Sequence, residues 1–214
     1  MALTKRQEIV NLISHELKTP TVPILGYCEM LVNSKLGSLS TDQNEAVKEI
    51  QQNAIQLNHL IFDFWNAQQL DLGKMKYFYE DVNVNELIKH LERDLSNLII
   101  GKNIEFSKLI ESEIHITTDE SKLFEIFKNL IENSSNFVPE IGGKIQISVK
   151  PDDSFVQFSV EDNGSGIAKE KMNLLFKKFH QIDTSHRRVH SGGGLGLTIC
   201  KGYIEDMGGK IWAK

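Results

Sequence analysis

Ser14-His15-Glu16-Leu17-Lys18-Thr19-Pro20 is the stretch whose reading decides the architecture of this chain. It lies inside a helical pattern, with Ile9, Leu12, Ile13, Leu17, Ile24, Leu25, Cys28 and Leu31 recurring at helical spacing. On such a helix His15 and Thr19 are i,i+4 and share a face, as do Glu16 and Thr19 at i,i+3. Pro20 cannot donate to the carbonyl of Glu16, nor Pro23 to that of Thr19, so a bend is expected just after His15. Two carbonyls without helical partners beside a histidine are odd for pure structure. A polar stripe that merely tolerates prolines is the bland alternative.

Working outward, a turn is expected at Ser34 to Leu39. Ser40 and Gln43 have the spacing of a capping box and start a second helix. Its apolar positions Val47, Ile50, Ala54, Leu57, Ile61 and Phe64 alternate three and four apart, the spacing of a coiled-coil seam. A helix of about 28 residues is about 42 Å long. One hairpin of two such helices buries its stripes poorly, whereas two hairpins make a four-helix bundle, so a homodimer is expected.

Gly73 ends the helical pattern. Tyr77 to Val84 reads as a strand. Asn83 and Glu86 repeat the capping spacing and start a helix through about Ile99. Asn103 to Leu109 reads as a strand, and Thr118 or Asp119 caps a helix to about Phe137. Lys144 to Val149 and Ser154 to Asp162 alternate well and form a hairpin. Leu195 to Met207 is a last helix and Lys210 to Ala213 a last strand. The order suggests an α/β sandwich with a mixed sheet. The expected domains are residues 1–72 and 73–214.

Composition narrows the partners. The 24 Lys and Arg stand against 29 Asp and Glu, a net charge of -5, which argues against a nucleic-acid partner. No apolar run approaches the roughly 18 residues that span a bilayer, and Met1 to Arg6 shows no signal-peptide pattern. A cytoplasmic location is expected, with a full-length parent open to membrane attachment. Cys28 and Cys200 match no metal or redox spacing. His186 and His190 are i,i+4 among polar residues beside glycines, without the further ligands a metal site needs.

Three later segments carry chemistry. Asn129-Leu130-Ile131-Glu132-Asn133 puts two amides on one helix face, able to bind metal-bridged phosphates without adding negative charge. In Asp162-Asn163-Gly164-Ser165-Gly166, the carboxylate shares a strand face with Val156, Phe158 and Val160 and is expected to follow that row into the core. A buried carboxylate needs a partner. The exocyclic amine of adenine is a suitable donor, and the glycines let backbone approach the ring. A plain hairpin-end turn is the alternative, since Asn-Gly is a common turn signal. Gly192-Gly193-Gly194-Leu195-Gly196-Leu197 opens a helix whose N–H groups and positive end suit phosphates.

The four segments, in this order and over nearly the whole chain, resemble the transmitter core of sensor histidine kinases. The resemblance implies an α+β protein: a dimeric four-helix-bundle hairpin, then a Bergerat-type ATP-binding α/β sandwich. It implies ATP and Mg2+, a response regulator receiver domain as partner, and protein-histidine kinase activity. His15 would attack the γ-phosphate, Glu16 would hold the other ring proton, and Thr19 would orient water for dephosphorylating the regulator. Asn133 would hold magnesium and Asn129 would face the phosphates. Asp162, Gly164, Gly166 and Ile167 would line the adenine side. Leu175 to Phe179 resembles the family's phenylalanine box, giving Phe176 and Phe179. Gly192, Gly194, Leu195, Gly196 and Leu197 would form the phosphate loop, and 184–193 a mobile lid.

The chain departs from the family at four positions. Asn136 stands where the family has Lys or Arg, leaving Lys178, Arg187, Arg188 and Lys201 as candidate cations. Gly193 replaces a Thr or Ser, and Lys122 and Glu125 replace Arg and Gln. Asn136 and Gly193 favour an alternative, a non-catalytic dimeric phosphotransfer or scaffold module with a degenerate pocket. Other ATPases of the same pocket superfamily lack the His15 helix pair. The family also continues past Lys210-Ile211-Trp212 with one more strand, so the sheet is expected to lack its last strand.

Overall fold

The computed structural model describes residues 2–110, 112–152, 154–180 and 193–214, with side chains from Glu16 onward. It divides into two compact units, the first comprising residues 2–75 together with 193–195 and the second 76–180 and 196–214.

The first unit is the expected hairpin. α1 spans Ala2–Val32 and is assigned as one helix through Pro20 and Pro23. α2 spans Thr41–Asp71. The capping box forms as its spacing requires: the Gln43 N–H donates to Ser40 Oγ at 3.3 Å, and the Ser40 N–H to Gln43 Oε1 at 2.9 Å. Cys28, Ala54, Ile61 and Ala67 are buried. Thr21 is buried too, its hydroxyl 2.8 Å from the Lys18 carbonyl and 2.6 Å from Asn58 Oδ1. That contact ties α1 to α2 three positions before the Ile61 layer. Other members of each apolar stripe stay outside: Leu17 and Ile24, seven apart on α1, and Ile50 and Leu57, seven apart on α2, are exposed.

The second unit is an α/β layer pair. Its elements are β1 (Glu80–Asn83), α3 (Val84–Asp94), α4 (Ser96–Gly101), β2 (Glu105–Ile110), β3 (His115–Thr118), α5 (Glu120–Ser134), β4 (Lys144–Asp152), β5 (Phe155–Asp162), a 3-10 turn (Lys169–Leu174) and α6 (Gly196–Asp206). β1 pairs antiparallel with β3. β2 runs parallel to β4, which pairs antiparallel with β5, so the second sheet is mixed. The core is built by periodicity. Val84, Leu87, Ile88 and Leu91 of α3 meet Leu123, Phe127 and Ile131 of α5 and the alternate residues Ile145, Ile147 and Val149 of β4. Fully burying one such side chain is worth about 1.5–3 kcal/mol.

Several boundaries differ from expectation. The strand expected over Tyr77 to Val84 shortens to β1. The helix expected to reach Ile99 breaks at Leu95, where the Ser96 hydroxyl takes the Arg93 carbonyl at 2.8 Å and competes with the helical ladder. β3 was not foreseen. Lys210 to Ala213 forms no strand, because no described strand ladders with it, and an extended segment without a neighbour has no hydrogen bonds to hold it.

Asp119, not Thr118, caps α5. Its carboxylate accepts from the Phe78 N–H at 2.8 Å, the Lys122 N–H at 3.0 Å and the Ser121 hydroxyl at 2.7 Å. Burial pushes this carboxyl up. The three donors and the Lys122 charge outweigh that and hold it below the ordinary carboxylate value. A depressed folded value stabilises the fold above the ordinary value of about 3.9 and is lost as pH falls through the depressed one. Asp119→Ala is therefore expected to cost about 1–3 kcal/mol at neutral pH. The difference from wild type, read by urea denaturation, should shrink below about pH 4.

Candidate functional site

Asp162 ends β5 opposite Ile145 of β4. The expectation that it follows its strand face into the core is wrong. Val156, Phe158 and Val160 pack on the core, but Asp162 is exposed at the strand end, where the ladder stops and the chain turns away. Its carboxylate is nevertheless fixed. Oδ1 accepts from the Gly164 N–H at 2.9 Å, and Oδ2 accepts from the Ser134 hydroxyl at 2.9 Å. An ionised carboxylate has about four acceptor sites, so two remain for an incoming donor. Ser134, the buried last residue of α5, was not singled out from sequence. Its neighbour Asn133 was the visible signal.

The glycines here answer close approach and turn geometry. A Cβ on Gly164 would lie 2.7 Å from Asp162 Oδ1 and 2.9 Å from the Phe137 carbonyl oxygen. Gly166 has φ +68°, the left-handed region a side chain resists. Asn163 fastens the loop, accepting from the Lys144 N–H at 2.7 Å and donating to the Gly142 carbonyl at 2.9 Å. Ile167 follows, half-buried.

Asn129 and Asn133 are half-buried on α5. A Cβ on Gly196, the first residue of α6, would lie 2.4 Å from Asn129 Oδ1. The Asn129 amide therefore rests on the N-terminus of α6, whose first N–H groups have no partner inside the helix. Gly194 has φ +65°, Leu195 is buried and Leu197 half-buried. The Thr198 hydroxyl donates to the Phe176 carbonyl at 3.1 Å, joining α6 to the phenylalanine pair. Phe176 is half-buried. Phe179 is exposed with φ +58°, a strained value for an aromatic residue. Arg187, Arg188, His186, His190, Gly192 and most of the expected lid lie outside the described residues. Gly196→Ala is expected to push the Asn129 amide aside and lower nucleotide affinity about three- to tenfold, the worth of one hydrogen bond. Equilibrium binding of ATP to both forms checks it.

Asn136, where a cation was expected, is exposed, and its Oδ1 accepts from Lys102 Nζ at 2.7 Å. Lys102 was missing from the candidate cations. Of those, Lys201 pairs with Glu205 at 3.7 Å. The Lys122 and Glu125 departures prove to be one unit. Lys122 Nζ lies 3.1 Å from Glu125 Oε2 and 3.3 Å from the Tyr203 hydroxyl, which donates to Glu125 Oε1 at 3.1 Å. Burial and then the Glu125 charge push the Tyr203 phenol far up, so it stays a donor that locks α6 onto α5.

Among the described residues, no three His, Cys, Asp or Glu side chains cluster as a metal site would. Asn133 and Asn129 offer neutral oxygens instead. One protein oxygen plus phosphates and water is the way magnesium is commonly held, so the donor set fits that ion. In the first unit Glu16 and Thr19 are exposed on α1, while the His15 side chain lies outside the described set.

Residues 5–73 match the His Kinase A phospho-acceptor domain, and 118–214 match the histidine kinase-, DNA gyrase B- and HSP90-like ATPase domain. A sensor-like histidine kinase of Rhizobium meliloti is 31% identical over 93% of the chain, which spans 38% of that relative's length. The structure of full-length ShkA in complex with AMPPNP superimposes with a TM-score of 0.77 at 27% identity, over 94% of this chain and 41% of that one. The catalytic domain of histidine kinase ThkA matches at 31% identity with a TM-score of 0.57, over 63% of this chain and 86% of that one. With a phospho-acceptor hairpin followed by the ATPase layer pair, the chain belongs to the histidine kinase family as a transmitter core.

Proposed function

We propose that the chain binds ATP with Mg2+, phosphorylates its own His15, and passes the phosphoryl group to an aspartate of a response regulator receiver domain. Residues 1–72 serve dimerisation and phosphate acceptance, and 73–214 serve ATP binding. The observation that carries the reading is the Asp162 carboxylate, held by Ser134 and Gly164 with acceptor sites left over, at the end of the helix that bears Asn129 and Asn133. Those acceptors suit the adenine amine.

A neutral ring nitrogen of His15 attacks the γ-phosphorus. An N–P bond forms, the bond to the β,γ-bridging oxygen breaks, and ADP leaves. The attacking nitrogen needs a free lone pair, so the imidazole reacts in its neutral form. Glu16 holds the proton on the other nitrogen and raises the basicity of the attacking one. Adjacent helical residues point about 100° apart, so this uses the length of the Glu side chain. Asn133, with Asn129 beside it, would hold the magnesium ion, which neutralises phosphate charge when bound.

The exposed stripe of Leu17, Ile24, Ile50 and Leu57 supports a homodimer through the hairpin, since a second hairpin covers what one leaves open. The test is transfer. The chain, labelled from ATP, is mixed in turn with the receiver domains of its source organism. Label passing rapidly to an aspartate of one or a few receivers supports the reading, and label that reaches none overturns it. Thr19 is one turn from His15 on an exposed face. Thr19→Ala is expected to keep autophosphorylation and to slow loss of phosphate from the cognate receiver, measured by single-turnover decay.

A further inference from the structure

Lys102 sits at a helix end whose backbone leaves it little freedom. The Asn103 N–H donates to the Ile100 carbonyl at 3.0 Å and the Ile104 N–H to the Ile99 carbonyl at 3.0 Å, with Asn103 at φ +51°. That is the Schellman pattern closing α4, and it aims Lys102 from a fixed stem. The ammonium crosses to the end of α5. It donates to the Ser135 carbonyl at 2.9 Å, the Ser135 hydroxyl at 3.1 Å and Asn136 Oδ1 at 2.7 Å. Three acceptors use all three donors of an ammonium group. Ser135 is buried, and its carbonyl is one of the orphan groups at the helix C-terminus, where positive charge is favoured. The same turn is fixed from inside, as the Asn136 N–H donates to the Asn133 carbonyl at 3.0 Å and the Phe137 N–H to the Ser134 carbonyl at 3.0 Å.

We propose that Lys102 is a positioning residue for the nucleotide site, clamping the last turn of α5 so that Asn133 faces the phosphates and Ser134 holds Asp162. The proposal rests on the ATP-binding reading above. It explains how the Asn136 departure is accommodated: a lysine at 136 would set a second ammonium against Lys102, whereas the asparagine supplies an acceptor that completes its coordination. Burial lowers the Lys102 ammonium from its ordinary value, and Glu132 raises it, which fits a charge committed to the protein rather than to water.

A helix cap that only stabilises the fold would show in melting but not in the binding of a folded sample. The test is ATP binding by calorimetry on the full chain, well below the melting temperature, across a Mg2+ titration. Lys102→Met is expected to weaken MgATP binding about tenfold or more and to raise the half-saturating Mg2+ concentration, as losing a support behind a metal-holding residue does. Lys102→Arg should recover most of the affinity. Lys108→Met, which loses only an exposed ion pair with Glu92, should bind as wild type. If Lys102→Met does not fold, Lys102→Gln, which keeps donors but not charge, answers the same question. A folded Lys102→Met or Lys102→Gln with wild-type affinity and Mg2+ dependence overturns the proposal. A wild-type chain that binds no ATP overturns the site reading itself, and the proposal with it.

Discussion

His15→Gln is expected to remove all phosphoryl label from the chain while leaving ATP affinity within about twofold of wild type, the scatter of a surface substitution. Glutamine keeps much of the length and polarity of histidine but has no ring nitrogen to attack phosphorus. α1 tolerates it, since glutamine is a good helix former and the neighbouring Glu16 to Pro20 are exposed. Asn129, Asn133 and Asp162 lie more than a hundred positions later in the chain, in the second unit, so binding should not follow the loss of label. Label surviving on another residue, or a parallel loss of ATP affinity, would remove His15 from its role.

Asp162→Asn is expected to lower ATP affinity at least about tenfold, since an unmade bond to a charged group costs roughly 1.5–3 kcal/mol. The geometry says why the fold should survive. The Asn oxygen can keep the Gly164 N–H, and its NH2 can donate to Ser134 Oγ, because a hydroxyl both donates and accepts. What disappears is an acceptor for the adenine amine, which would meet a second donor. Because Asp162 is exposed at the strand end, removing its charge strands no buried partner ion. An unchanged affinity in a variant with a wild-type melt would refute the adenine-reading role.

Much of this was legible in the sequence, for reasons tied to particular residues. The hairpin was readable because Ser40 and Gln43 form a reciprocal cap and the apolar repeats are long. The α5 face was readable because Asn129 and Asn133 are one turn apart on a strongly amphipathic helix. β3 was not, because four residues, His115–Thr118, carry too little alternation, and only their pairing with β1 makes them a strand. Asp162 was misplaced because period two says which face a residue takes but not how far along that face the core reaches. Ser134 and Lys102 were missed because their roles are tertiary. Ser134 meets a residue 28 positions on, and Lys102 meets Ser135 from 33 positions away, with no local pattern to announce either. The Lys122, Glu125 and Tyr203 network was likewise visible only as two odd substitutions until α6 brought Tyr203 to them.

The central claim, that this pocket delivers the γ-phosphate of ATP to one histidine, is tested most directly by incubating the purified chain with Mg2+ and ATP labelled at the γ- or the α-phosphate. Label is expected from the γ-position only, lost in acid and retained in alkali as a phosphoramidate is, and mapped by mass spectrometry to His15. Label from the α-position, acid-stable label on a hydroxyl residue, or no label from a chain that binds ATP would contradict it.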